Sequence, residues 1–173
     1  VNGAGYALQG YPVRSLFSFN FQGLNEDGVP TFINESGQVT TSDIYFQEYN
    51  EKSHLVYEGS IDPTVTGSLG NVFTYKIFTL NAFMTYAFGN VIRLDPVFKS
   101  SYSDLTAMPK EFKNRWTVQG DELITNVPVI ADKRLLNNDP YLSYAYNAYN
   151  YSTERVAKGD FIRMKEISLT YDF

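Results

Sequence analysis

Residues 78–88 read Phe78-Thr79-Leu80-Asn81-Ala82-Phe83-Met84-Thr85-Tyr86-Ala87-Phe88. Phe78, Leu80, Ala82, Met84, Tyr86 and Phe88 share one phase of a period-two repeat. Thr79, Asn81, Phe83, Thr85 and Ala87 share the other. Successive side chains of an extended strand point to opposite faces. The alternation therefore predicts a strand with one apolar or aromatic face and one small, mostly polar face. Its length matches the ~9–11 residues of a tilted membrane strand.

The preceding run, Thr64 to Tyr75, alternates in the same way. Val65, Gly67, Leu69, Asn71, Phe73 and Tyr75 fall on one side, and only Asn71 interrupts an otherwise apolar row. Thr64, Thr66, Ser68, Gly70, Val72 and Thr74 fall on the other. Only Lys76 and Ile77 separate the two runs, which predicts a tight hairpin, although Lys-Ile is a poor turn pair and a turn that takes in Tyr75 or Phe78 is the alternative. Two further runs read as strands. Arg14 to Gly23 sets Phe17, Phe19 and Phe21 against Ser18, Asn20 and Gln22. The last residues set Ile167, Leu169, Tyr171 and Phe173 against Glu166, Ser168, Thr170 and Asp172.

Turn-rich stretches lie between these runs. Asn25-Glu-Asp-Gly28 and Asn34-Glu-Ser-Gly37 flank a short extended piece, Val29 to Ile33. Asn90 to Gly159 shows little pattern, and no stretch of the chain reads as an amphipathic helix. This region holds Pro96, Pro109, Pro128 and Pro140, which remove backbone donors and interrupt central strands. Its charged clusters, Lys110 to Arg115 and Asp132 to Arg134, are costly against hydrocarbon. It is expected to contain loop and no long spanning strand.

Composition narrows the function classes. The 173 residues suffice for one ordinary domain. With 43% hydrophobic and 19% charged residues, the chain fits neither intrinsic disorder nor a bundle of membrane helices. Val1 to Tyr6 has neither the basic start nor the apolar core of a secretory leader. A net charge of −5 and scattered basic residues argue against nucleic acid as a partner. Cysteine is absent, which removes thiol catalysis, disulfide scaffolds and cysteine metal sites; the single histidine, His54, removes any site needing two.

No constellation points to catalysis, a metal or a cofactor. Gly3-Ala-Gly5 lacks the third glycine and the strand–helix setting of a dinucleotide loop. Asp121 with Glu122, and Asp160 with Glu166, have the residue types of a glycosidase pair but sit at turn-like places. His54 reads as a surface or loop histidine. Tyrosine, tryptophan and asparagine in the loops suit sugars, whose C–H faces stack on rings and whose hydroxyls need amide partners. Loop tyrosines packed on one another are the plainer account.

Alternation also suits a soluble, secreted β-sandwich that binds carbohydrate through aromatic loops. Two details favour the membrane barrel. The polar faces are rich in Thr, Ser, Asn and Gly, as a lumen would be. The apolar faces carry aromatics at their ends, where an interfacial girdle would sit.

Segment order then adds a resemblance. Gly10-Tyr-Pro-Val-Arg-Ser-Leu-Phe-Ser-Phe-Asn-Phe-Gln-Gly-Leu24 is followed by Gly28-Val-Pro-Thr-Phe-Ile-Asn-Glu-Ser-Gly37, Gly59-Ser-Ile-Asp-Pro63 and Gly67-Ser-Leu-Gly-Asn-Val-Phe-Thr-Tyr-Lys76. Phe88-Gly-Asn90, Asn114-Arg-Trp-Thr117 and Gly159-Asp-Phe-Ile-Arg-Met-Lys-Glu-Ile-Ser-Leu-Thr-Tyr171 complete the series. Together they resemble the C-terminal barrel region of SusC/RagA-type TonB-dependent outer-membrane transporters. Val118 to Tyr151 resembles nothing that aligns.

The resemblance implies an all-β fold: antiparallel strands of a transmembrane β-barrel with long extracellular loops, incomplete in this chain. Residues 1–173 would be a partial barrel, with the signal, the plug domain and the last barrel strands outside them. It implies a non-enzymatic role in an energised importer of oligosaccharides or peptides in the bacterial outer membrane. A SusD-like surface lipoprotein, TonB (reached through the N-terminal part) and outer-membrane lipid would be its partners. Alternation, rather than any family motif, makes Thr79, Asn81, Thr85, Ser168 and Thr170 the candidate lumen-lining residues.

Overall fold

The hairpin around Lys76 organises the sheet. In the computed structural model, which describes residues 7–42, 44, 54–99, 108–131 and 133–172, Tyr75 pairs with Phe78 and the ladder runs without a break to Val65 and Phe88. Lys76 adopts φ 55°, the only positive value among the described non-glycine residues. Closure by a two-residue loop needs that conformation, and lysine tolerates it at some cost.

The strands in chain order are β1 (Ser15–Phe19), β2 (Phe21–Leu24), β3 (Pro30–Ile33), β4 (Val39–Thr40) and β5 (Leu55–Ser60), then β6 (Val65–Tyr75), β7 (Phe78–Phe88) and β8 (Val91–Arg93). The helices α1 (Lys133–Asn138) and α2 (Leu142–Asn150) follow, then β9 (Val156–Lys158) and β10 (Phe161–Tyr171). All strand pairs are antiparallel. The long sheet has the order β10-β7-β6. Beyond it, β1 pairs with β5 and β8 with β9, while β2, β3 and β4 form a small sheet.

A common break separates the long sheet from these shorter pairs. Each of its three strands is interrupted at the same level, between β5 and β6, β7 and β8, and β9 and β10. The Thr64 N–H donates to the Phe88 carbonyl at 3.0 Å, and Gly159 N–H to the Asn90 carbonyl at 2.8 Å. The Gly89 N–H donates to the Asp160 carboxylate at 2.7 Å. Above the break, the described residues of 20–54 and 94–155 leave the strands at the end opposite Lys76 and pack on each other. Their core holds Phe19, Val29, Phe32, Val97, Phe112, Leu142, Ala145, Tyr146 and Tyr149. We call this assembly the cap.

Several expectations need correction. The run Arg14 to Gly23 is not one spanning strand. It breaks at Asn20, and β1 is buried on both faces, Ser15 and Ser18 included, with its last residue, Phe19, in the cap core. The Tyr141–Tyr151 patch, expected as patternless loop, contains α2. Its buried residues Leu142, Ala145, Tyr146 and Tyr149 follow the i, i+3, i+4, i+7 spacing of a helix face. Tyrosine and asparagine are middling helix formers, so burial in the core rather than propensity holds these nine residues helical. His54 is no surface residue: its side chain is 7% exposed, 4.0 Å from Glu35 and stacked near Phe19. Phe173 and Gly3-Ala-Gly5 lie outside the described residues. The strands expected at Thr64 to Tyr75, at Phe78 to Phe88 and at the end of the chain, and the extended piece at Val29 to Ile33, are present. β3 sits between turns at Asn25 and Asn34, whose side-chain carbonyls accept from Val29 and Gln38 N–H groups. Between Asn90 and Gly159 the described strands, β8 and β9, have three residues each.

Candidate functional site

Register assigns every side chain of the long sheet to a face. Cross-strand partners share a face, so Phe73, Leu80 and Leu169 lie together, as do Tyr75, Phe78 and Tyr171. In β10 the register shifts between Met164 and Glu166, leaving Lys165 as an extra, unmatched residue. That bulge changes the phase of alternation, so Ile162 and Met164 join Ile167, Leu169 and Tyr171 on one face.

The resulting face is apolar over all three strands, with Asn71 its one polar residue and no charge. Eleven of its large side chains, from Val65 on β6 to Tyr171 on β10, are at least 38% exposed. Its middle is aliphatic (Leu69, Leu80, Ala82, Met84, Ile167, Leu169). Aromatics gather at both ends. Phe78 and Tyr171 meet at 5.3 Å near the Lys76 turn, and Tyr86 and Phe88 stack at 5.4 Å below the cap. Tyr86 lies across Gly67 of β6, and a Cβ at that glycine would collide with the ring. A patch of this extent is far beyond the scattered apolar surface of a water-soluble monomer.

The opposite face carries hydroxyls, an amide and charges. Thr79 pairs with Thr170 and Thr74, Asn81 with Ser168, and Thr85 with Arg163 and Ser68. All five candidate residues thus lie on this face. The Asn81 amide donates to the Glu166 carboxylate at 2.9 Å, and the Ser168 hydroxyl donates to the same oxygen at 3.2 Å. Thr74 and Thr79 hydroxyls sit 3.3 Å apart. The Arg163 guanidinium lies over Phe161, 4.9 Å from the ring centroid.

Buried polar side chains hold the cap together and tie it to the short strands. Arg93 of β8 donates to the carbonyls of Ser152 and Phe17, both at 2.8 Å, and so ties three chain segments together. Burial lowers its pKa to about 10, which leaves it a cation at neutral pH. Arg155, 5% exposed, donates to the Asp95 carbonyl at 2.7 Å and pairs with Glu111 at 3.3 Å. Asn150 substitutes for a neighbouring strand: its oxygen accepts from the N–H groups of Val97 and Phe98, and its amide donates to the Phe98 carbonyl. Burial pushes the Tyr149 phenol up to about 12.

The two acidic pairs do structural work. Asp121 accepts from the N–H and hydroxyl of Thr117 and from Val118 N–H, which hold its carboxyl below the usual range. Glu122 accepts from the Trp116 indole at 3.0 Å and from Gly120 N–H, with the same effect. Asp160 accepts from Gly89 N–H and Glu166 from the Asn81 amide of β7, so the two bind different partners. Among the described residues no cluster of His, Cys, Asp or Glu has the geometry to hold a metal ion.

Trp116 marks a feature the linear sequence did not bring together. Its ring rests on Gly28, at φ 73° in the Asn25 turn, where any Cβ would strike the indole. Beside it a groove of about 490 Å³ runs between the two cap segments. Asn25, Asp27, Val29 and Thr41 form one wall, and Trp116, Val129, Ile130, Leu135, Asp139 and Leu142 the other. The walls lie up to 117 positions apart in sequence (Leu142 minus Asn25), so no local motif announces them.

No protein-family model and no curated protein matches the chain. Two solved structures share its fold. The RagAB peptide importer in its open-open state aligns over 94% of this chain at 20% identity, with a TM-score of 0.58. The same importer in its closed-closed state aligns over 96% at 18% identity, also with a TM-score of 0.58. The chain spans only 16% and 18% of those longer chains. The sheet and cap described above therefore recur as a small part of a much larger β-rich protein.

Proposed function

We propose that this chain is a wall-and-loop segment of an energised outer-membrane importer of oligosaccharides or peptides. The apolar face of β6, β7 and β10 meets lipid. The Thr79–Asn81–Thr85 face, with Ser168 and Thr170, borders a water-filled passage. The cap lies outside the membrane, where a surface lipoprotein of the SusD-like kind can seat. Residues 1–173 act as part of one barrel, with the plug and the TonB contact supplied elsewhere in the full-length protein. On this reading the segment's work is to bound and shape a passage and not to carry out covalent chemistry.

One observation carries this reading. A sheet with eleven-residue strands leaves a charge-free apolar face uncovered, aliphatic in the middle and aromatic at both ends. In water such a face costs about 25 cal/mol for each Å² left exposed, whereas in a bilayer it is the favoured surface. The likeness to part of the RagAB peptide importer supports the same reading. A soluble carbohydrate-binding sandwich would need a second layer over this face, and the described residues supply none.

The test is made on the full-length protein in its native cells. It is expected to fractionate with outer membranes, and cells carrying it should accumulate labelled oligosaccharide or peptide only while the proton gradient is intact. Recovery of the protein in the buffer-soluble fraction would overturn the proposal.

A further inference from the structure

We infer that the groove between the two cap segments receives the basic side chain of a peptide. This deepens the importer reading and rests on it for the identity of the carrier, a peptide. The groove joins an aliphatic floor, to which Ile130, Leu135 and Leu142 contribute, with an indole, Trp116, and two carboxylates, Asp27 and Asp139. Among the described residues that line it none is basic. Its volume, about 490 Å³, lies within the range of small-ligand sites and exceeds one side chain.

The chemistry of those walls selects a ligand. A lysine or arginine side chain is an aliphatic stem ending in a cation, and such chains lay the stem on apolar surface while the charge seeks polar company. Aliphatic residues here offer the first, carboxylates the second, and an indole face adds attraction for a cation. Anionic ligands meet two like charges. A neutral sugar would leave both carboxylates without a charge partner and, among the described lining residues, find Asn25 and Thr41 as further polar side chains. The groove is also held in shape before any ligand arrives. Trp116 is fixed by its bond to Glu122 and its seat on Gly28, and Asp139 accepts the Tyr141 N–H at 2.9 Å. Preorganisation of this kind lowers the entropy lost on binding.

Calorimetry on the full-length protein in detergent tests the inference with three pentapeptides, Gly-Gly-X-Gly-Gly, where X is lysine, norleucine or glutamate. The lysine peptide should bind at least tenfold more tightly than the norleucine peptide, and the glutamate peptide most weakly. Asp27→Asn with Asp139→Asn keeps side-chain size and the acceptor for Tyr141 while removing both charges. This double variant should erase the lysine preference and keep the wild-type unfolding temperature. The preference should also shrink as salt is raised. Equal binding of the lysine and norleucine peptides, a lysine preference untouched by the double variant, or tighter binding of a neutral oligosaccharide at this groove would each overturn the inference. Uptake separates it from the importer reading. If cells import peptides without regard to charge or to the two aspartates, the groove assignment fails and the importer stands. If the purified protein binds lysine peptide through these aspartates but cells accumulate none, the importer reading fails.

Discussion

β7 and α2 are both rich in aromatic residues, yet they place them in opposite surroundings. On β7, Phe78, Tyr86 and Phe88 lie on a face that no part of the described chain covers. On α2, Tyr146 and Tyr149 are 2% and 3% exposed inside the cap core. The difference follows from what each element can pair with. The long sheet satisfies its backbone through ladders and leaves its side chains to the solvent around it. The cap satisfies its backbone through turns, short strands and buried Asn and Arg side chains, and must fold its apolar groups inward. On the importer reading proposed above, one chain contains a region built for a nonpolar solvent beside a region built for water.

The comparison breaks most visibly if damage in one region spreads to the other. Tyr146→Ala removes a buried ring and the hydroxyl that donates to the Val129 carbonyl at 2.7 Å. We expect a loss of about 3–5 kcal/mol, the range for deleting a buried aromatic ring, confined to the cap. Hydrogen exchange should quicken at amides of α2 and β3, with β6, β7 and β10 unchanged. Exchange that quickens equally in the long sheet would show that the two regions are one cooperative unit.

The next test sets neighbouring residues of one strand against each other. Leu80→Arg should destabilise the assembled full-length protein by about 2–4 kcal/mol if the residue lies near the bilayer midplane. Thr79→Arg, on the opposite face, should be tolerated better. Heat resistance of the folded band on gels reads the difference, and equal losses would remove the distinction between the faces.

Alkaline pH should act on the cap through Tyr149. Its phenol titrates near 12 when folded and at 10 when free, so between those values the unfolded chain loses its proton first. The stabilisation is complete below pH 10 and is lost as pH rises toward 12, on the order of 2 kcal/mol in all. Arg93 works the other way, since its lowered pKa makes the folded form release a proton above pH 10 while the unfolded form keeps it. The two contributions oppose each other between pH 10 and 12, so Tyr149→Phe should tilt the slope of cap stability against pH upward relative to the unsubstituted protein, followed by near-ultraviolet circular dichroism. An unchanged slope would mean that Tyr149 is not the titrating group.

The smallest expected effect is at the hairpin. Lys76→Gly relieves a positive φ on a residue with a Cβ and should raise stability by up to about 1 kcal/mol. A loss of stability would show that the Lys76 side chain, 5.5 Å over the Tyr75 ring, contributes more than its backbone costs.

The long sheet was legible in the sequence because its rule is local. Alternation from Val65 to Phe88 gives strand, hairpin and face assignment without reference to any other segment, and the register agrees residue for residue. The lone irregularity, the bulge at Lys165, lies just before Glu166, where the alternation read from the sequence begins; the structure extends that strand back to Phe161. The cap was less legible because its rules are not local. α2 is a helix on account of partners far from it in sequence, and the spacing of Leu142, Ala145, Tyr146 and Tyr149 was hidden by tyrosine, which packs as an apolar residue while carrying a hydroxyl. Serines at positions 15 and 18 mimicked a polar strand face but are fully buried. The groove at Trp116 needs two segments brought together by the fold, and a single indole in the sequence carries no such signal.

The central claim is that lipid touches the Leu80 face of β7 and water the Thr79 face. This stretch contains no cysteine, so spin labels attached through Leu80→Cys and Thr79→Cys can report on it in the full-length protein reconstituted in liposomes. Oxygen, which concentrates in bilayers, and a water-soluble nickel chelate are then compared as relaxing agents by electron paramagnetic resonance. The account predicts that oxygen dominates at position 80 and nickel at position 79, with the preference alternating along the strand. Nickel dominance at both positions, or oxygen dominance at 79 with nickel at 80, would contradict it.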